Sequence, residues 1–295
     1  MIDRTAATGL PELVHYDDTK VDHAMRNGVM NTEEEILLNN VGYSIRQGHQ
    51  QWCPGPMRPE RVCLVGSGPS LKDTEEELRQ LVWEGAILVT LNGAYHWCID
   101  HGLRPQTQIV MDARPSNARF VMPAVPRCNY VIASQCAPSM WANLVNRPHT
   151  WIFHAVTRSE DAMTDVLDTY YLKKWIPVGG GTTAATRAIN LLRIAGYLRY
   201  DLFGIDCCWF GNTHHAMPQP ENEKDTCLTV KIGAQGRPDT MREFRCSPWQ
   251  LKQAEDLMTI MYVNGKHFML TSHGDGMFTH LLQIFGEGPL TIEKE

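Results

Sequence analysis

Three short stretches of this chain collect residue types that hold anions or move protons. Gly66-Ser67-Gly68-Pro69-Ser70 closes the apolar run RVCLV and opens the acidic stretch LKDTEEEL. Glycines let a backbone turn sharply and come close to a ligand. Amides at the start of the following helix can hold a phosphate, and Ser67 and Ser70 add hydroxyls. A plain strand–helix turn with a serine cap reads the same way. The stretch is not a complete dinucleotide fingerprint, because Leu71 stands where the third glycine belongs, and no Lys-Ser/Thr pair follows to make a P-loop. A second turn, Gly179-Gly180-Gly181-Thr182-Thr183, opens the stretch AATRAINLLRIAGY. One threonine and one glycine would make a cap, so this turn holds more than a cap needs. We expect the two bends to face one shared cleft where an anionic group rests.

Single polar residues close three further apolar runs: Asn92 after ILVTL, Asp112 after TQIVM and Asp206 after YDLFGI. Carboxylates at such positions hold ribose hydroxyls or, with substrate phosphates, magnesium. Asp112 beside Arg114 also reads as an ion pair. His214 and His215 follow Asp206 in FGNTHHAMP and suit general acid–base work, phosphate contact or metal binding. His273 and Asp275 in TSHGDG are weaker candidates of the same kind.

These residues need a scaffold. From Arg61 onward, apolar runs of strand length alternate with helical patterns: RVCLVG, AILVTL, TQIVMD, NYVIAS, TWIFHA, YDLFGID and KHFMLTS are strand candidates. LKDTEEELRQLVW, TTAATRAINLLRIAGY, SPWQLKQAEDLMTIMYVNG and GMFTHLLQIFG are helix candidates. The strand runs are apolar almost throughout, as strands buried on both faces are. The fold class is therefore α/β, a Rossmann-like, mostly parallel sheet with helices on both faces. In such sheets ligands sit beyond the C-terminal strand ends, where every residue named above falls. Residues 1–60 read as a helical N-terminal extension. A helix starts near NTEEE, with Asn31 or Thr32 as cap and Glu33 to Glu35 on the positive end of its dipole. Gly48 stops it, and the turn-rich CPGPMRP links it to the 61–295 domain. The polar, Gly- and Pro-rich segment 216–244 reads as a lid-like insertion.

With 43% hydrophobic and 20% charged residues the chain is globular. A net charge of −6 speaks against a general nucleic-acid binder. Nine cysteines without a CxxC suit buried thiols in a reducing, cytoplasmic setting. No apolar run approaches the roughly 20 residues of a membrane span, and the first residues lack a signal-peptide pattern. A dehydrogenase fits less well, because the second strand ends in Asn92 where an acidic ribose ligand is expected.

The series GxGPSL, LN, PQTQIVMD, GGGTTAATRAINLLRIAGY and LFGIDCCWFGNTHHA resembles the 6-hydroxymethylpterin diphosphokinase-like family over roughly residues 60–285. That family includes archaeal pterin pyrophosphokinases and motility-accessory-factor glycosyltransferases, and it also occurs among tailed-phage proteins. The same order is similar to the bacterial CMP-sialic acid transferases of the Campylobacter type. The resemblance implies that Gly66, Ser67, Gly68, Pro69 and Ser70 line nucleotide phosphates or ribose and that Asn92 contacts the nucleotide. It implies that Gly180, Gly181, Thr182 and Thr183 cradle a base or phosphate, and that Asp206 supports the nucleotide. Asp112 and Asp206 would hold magnesium, with His214 or His215 beside the transferred group. The sialic acid transferases carry a histidine where this chain has Arg245 and Cys246, so their general base is missing. The activity so implied is transfer of pyrophosphate from ATP to a hydroxymethyl-bearing, pterin-like acceptor. The alternatives are glycosyl transfer from a CMP- or UDP-sugar, and a non-catalytic nucleotide-binding phage protein. The expected partners are a nucleotide and a small acceptor, with a homo-oligomer also open.

Overall fold

A computed structural model describes residues 32–156, 162–217, 226–264, 268–285 and 290–294. Helix α1 (Glu34–Ile45) is followed by β1 (Gln50–Gln51), β2 (Arg58–Val65), α2 (Leu71–Trp83), β3 (Ile87–Leu91), α3 (Ala94–Asp100) and β4 (Thr107–Val110). A 3-10 helix, Pro115–Val121, leads to β5 (Asn129–Ala133), α4 (Pro138–Ala142), β6 (Thr150–Ala155), α5 (Ala162–Tyr171), β7 (Pro177–Val178), α6 (Ala184–Ile194) and β8 (Tyr197–Phe203). The chain ends through β9 (Leu228–Ala234), β10 (Arg242–Cys246), α7 (Pro248–Asn264), β11 (Met269–Ser272), α8 (Met277–Ile284) and β12 (Leu290–Lys294).

The main sheet is parallel throughout, in the order β1-β6-β5-β4-β3-β2-β8-β11, with β7 on β6 beyond β1. Its strands bury both faces. On β2, Val62 and Leu64 join one apolar core, while Cys63 and Val65 join the other with Leu71 and Leu78 of α2. Successive side chains on a strand point to opposite faces, which is why RVCLV has no polar alternation. The chain lays down β2 to β6 in one direction, then returns to place β8 and β11 on the other side of β2. Strand order reverses between β2 and β8, the position at which open α/β sheets bind ligands.

Two segments differ from the sequence reading. Residues 34–60 are woven into the domain. Strand β1 pairs with β6, Ser44 Oγ donates to the Ser134 carbonyl at 2.7 Å, and Gly55 N donates to the Ile194 carbonyl at 3.0 Å. Glu33 stands at the N-cap of α1 and makes no side-chain cap bond; Asn31 lies outside the described residues. Within 216–244, β9 pairs with β10 and with β12 in a three-stranded antiparallel sheet. Val230, Ile232, Ala234 and Phe244 of that sheet are buried in the core, so this stretch is a packed element. Residues 218–225 of the segment lie outside the described residues.

Candidate active site

The turn after β2 and the loop after β8 are built against each other. Gly68 N donates to the Gly204 carbonyl at 2.8 Å. Ser70 N donates to Asp206 Oδ2 at 3.0 Å, and Ser70 Oγ donates to Asp206 Oδ1 at 2.5 Å. A Cβ on Gly66 would lie 2.6 Å from the Gly204 carbonyl oxygen, and one on Gly68 would lie 2.5 Å from Asp206 Oδ2. Gly204 itself sits at φ +59°. A third loop completes the contact: a Cβ on Gly274 would meet Ser70 Cβ at 2.6 Å, and one on Gly276 would meet Asp206 Cα at 2.7 Å. Glycines here allow three backbones to touch. Burial pushes the Asp206 carboxyl up to about 6, against the pull of its Ser70 hydrogen bonds and with a further push from Asp73.

This geometry corrects the expected shared anion cleft. The Ser70 amide already faces an anion, and that anion is Asp206. At the second turn, Thr182 N and Oγ1 donate to Asp256 Oδ2 at 2.9 and 3.0 Å. Thr183 caps α6 in a reciprocal box with Thr186. Gly180 and Gly181 adopt φ +83° and +76°, and a Cβ on either would strike Asn190 or Thr186. The strand ends that precede the two turns, β2 and β7, lie five strand positions apart in the sheet, roughly 24 Å at the usual spacing.

Asp112 and Asp206, each expected to hold magnesium, are not brought to one point. Asp112 follows β4 and Asp206 follows β8, three strand positions apart, roughly 14 Å, whereas ligands of one magnesium lie about 2.1 Å from it. Asp206 is buried and engaged on both oxygens. Asp112 is held by Arg114, whose Nη2 donates to Oδ2 at 2.5 Å and whose Nε donates to Oδ1 at 3.0 Å. Among the described residues no group of three His, Cys, Asp or Glu is placed to hold a metal.

Asn92 ends β3 in the left-handed region, φ +44°, which asparagine tolerates better than most residues. Its side-chain oxygen accepts from Met111 N at 3.4 Å, and its carbonyl accepts from Gln108 Nε2 at 2.9 Å. It thereby ties the end of β3 to that of β4, next to Asp112.

The three histidines occupy different settings. His214 is buried, its ring 4.4 Å from that of Trp209 and 6.2 Å from that of Trp249. His215 is half-buried and reaches the glycine turn, with Nδ1 3.1 Å from Ser67 Oγ. His273 lies between Asp201 Oδ1 and Glu77 Oε1, each at 2.9 Å, stacked on Phe203. Those two carboxylates raise its pKa against the opposing effect of burial, which is the largest single influence. Arg245 lies over Trp209 at 5.8 Å and donates to the Gly211 carbonyl at 2.7 Å, holding the loop that carries His214. Asp275 pairs with Arg242 at 2.8 Å.

Sequence reasoning missed Gly204, Gly274, Gly276 and Asp256. A search for small residues repeated at the ends of separate strands would have flagged the three glycines. Asp256 sits inside a helix and gives no local signal.

Comparison with known proteins matches residues 37–212, more than half of the chain, to the family model described as 6-hydroxymethylpterin diphosphokinase MptE-like. No curated protein matches. Among solved structures the chain is similar to the MAf glycosyltransferase from Magnetospirillum magneticum AMB-1, with a TM-score of 0.58 and 13% identity. The match covers 86% of this chain and 41% of that one, so the chain spans less than half the length of that structure. That likeness agrees with the Rossmann-like fold, and the family match supports a transferase-type activity. Among the described residues no helix is long and apolar enough to cross a membrane.

Proposed function

We propose, from the premise that this chain belongs to the 6-hydroxymethylpterin diphosphokinase MptE-like family, that it is a nucleotide-dependent transferase. Its donor sits over the Gly66–Ser70 turn, between the ends of β2 and β8. The observation that carries this reading is the Ser70–Asp206 contact. It fixes the turn at the reversal of strand order, where Ser67, the one residue of the five that is not buried, lies beside His215.

The reaction we assign is transfer of pyrophosphate from ATP to a hydroxymethyl group on a pterin-like heterocycle. Such transfers are catalysed mainly by positioning and charge neutralisation. Ser67 and His215 stand at the turn for the phosphates. Asn92 and the Asp112–Arg114 pair lie one and two strands away, placed for the rest of the donor or for the acceptor. The two aspartates do not fit one magnesium, so no step here runs through a protein-held metal.

The solved neighbour favours a second reading, because it is a glycosyltransferase. The donor would then be a nucleotide-activated sugar in the same position. Thermal melting with ATP, CMP, UDP and their sugar conjugates, with and without magnesium, separates the two. A ligand at 100 times its Kd stabilises by about 2.7 kcal/mol, a rise on the order of 5 °C for a chain of this size. A shift with ATP alone supports the diphosphokinase, and a shift with CMP- or UDP-sugar alone supports the glycosyltransferase. No shift with any nucleotide contradicts both.

A further inference from the structure

We infer that Ser67 and His215 form a hydroxyl–imidazole dyad that makes Ser67 a nucleophile toward an electrophilic phosphorus. The inference deepens the transferase reading and rests on it only for the class of donor.

The glycine turn carries two hydroxyls, and they differ in kind. Ser70 is buried, with Oγ held by Asp206. Ser67 is half-exposed, with Oγ 3.1 Å from His215 Nδ1. The histidine is strapped in place. Ala216 N donates to the Ser67 carbonyl at 2.8 Å. Thr213 Oγ1 donates to the His215 carbonyl at 2.9 Å and accepts from His215 N at 3.3 Å. The ring packs on His214 at 4.3 Å, and His214 packs on Trp209. Backbone hydrogen bonds fix the segment that carries the ring, and packing on His214 adds to them. With the imidazole proton on Nε2, Nδ1 accepts the Ser67 hydroxyl proton. His273, by contrast, is held by the carboxylates of Glu77 and Asp201.

In the first step Ser67 Oγ attacks the phosphorus of a phosphoric anhydride. The Ser67 O–P bond forms, the P–O bond to the departing nucleotide breaks, and the hydroxyl proton moves to His215 Nδ1 and on to solvent. In the second step the acceptor hydroxyl attacks the same phosphorus. Its proton goes to His215, the Ser67 O–P bond breaks, and His215 returns the proton to Ser67 Oγ. Neither step changes an oxidation state.

An alkyl fluorophosphonate tests this without knowledge of the substrate. Attack by Ser67 forms an O–P bond and expels fluoride, and the adduct is read by intact mass and peptide mapping. One adduct per chain at Ser67 is expected, absent in Ser67→Ala. It should form about 100-fold more slowly in His215→Ala, at the low end of general-base contributions. Thr213→Val, which loosens the strap and keeps the ring, should slow it less. No adduct at Ser67 in the folded wild type overturns the dyad, as does an equal rate in a folded His215→Ala. Nucleotide melting shifts measured on the same sample keep the two readings apart. Shifts without an adduct overturn only the dyad, and an adduct without shifts overturns only the nucleotide reading.

Discussion

Ser70 and Asp206 join the two halves of the sheet where strand order reverses: one residue supplies an amide and a hydroxyl, the other both oxygens of a buried carboxylate. The contact takes the place expected for a bound phosphate.

That carboxyl is pushed up to about 6 by burial. A folded-state value above the unfolded one means that the folded chain binds the proton more tightly. The contribution of Asp206 to stability is therefore greatest below about pH 4, falls as pH rises to 6 and is level above, a difference on the order of 3 kcal/mol. Asp206→Asn keeps the shape and removes the titration. Urea unfolding of both proteins from pH 4.5 to 7.5 should show the wild type losing stability relative to the variant as pH rises. Parallel curves would contradict the assignment.

Gly68 has no room for a side chain: an added Cβ would lie 2.5 Å from Asp206 Oδ2 and 2.7 Å from the Gly204 carbonyl oxygen. Gly68→Ala should cost about 1–3 kcal/mol through forced backbone shifts. Gly211→Ala serves as comparison for the clash; Gly211 has a positive φ of +59°, which Gly68 does not, but an added Cβ there meets nothing within 4 Å. Chemical denaturation of both variants checks this, and the nucleotide melting shift should survive only in Gly211→Ala.

Asp256 gives the second turn a different role from the first. Asp256→Ala leaves Thr182 N and Oγ1 without their acceptor and should cost about 1–3 kcal/mol. If the donor phosphates rest over Ser67, nucleotide affinity measured by calorimetry should change less than threefold. A tenfold loss would return the second turn to the phosphate site.

His273 predicts a second pH effect. Its raised pKa comes from Glu77 and Asp201, and Arg61 also sits on Asp201 with Nη2 at 2.7 Å. A histidine raised in the fold stabilises fully below its unfolded value near 6.5, and that stability is lost as pH rises through the folded value. The melting temperature should fall through this range in the wild type and less steeply in His273→Gln.

Much of the fold was legible because apolar strands and amphipathic helices carry local signals. RVCLV, ILVTL, NYVIA and TWIFHA are strands, since burial on both faces leaves a run with no polar break. Two-residue β1 and β7 are too short to show a pattern. Strand β9, LTVKIGA, was hidden among turn residues, and its pairing partner β12 lies more than fifty residues on. At the site, the glycine turn, Asp206 and His215 were all marked by residue type. What the sequence did not show was who holds whom. Whether an amide faces a ligand or Asp206, and whether Thr182 faces a phosphate or Asp256, depends on loops brought together only by the sheet.

We propose that a nucleotide lies against Ser67, between the ends of β2 and β8. Calorimetry of the preferred nucleotide with the wild type, Ser67→Trp and the remote Asp239→Ala tests it most directly. One site per chain is expected, at least tenfold weaker in Ser67→Trp and unchanged in Asp239→Ala. Equal affinity in a folded Ser67→Trp would contradict it.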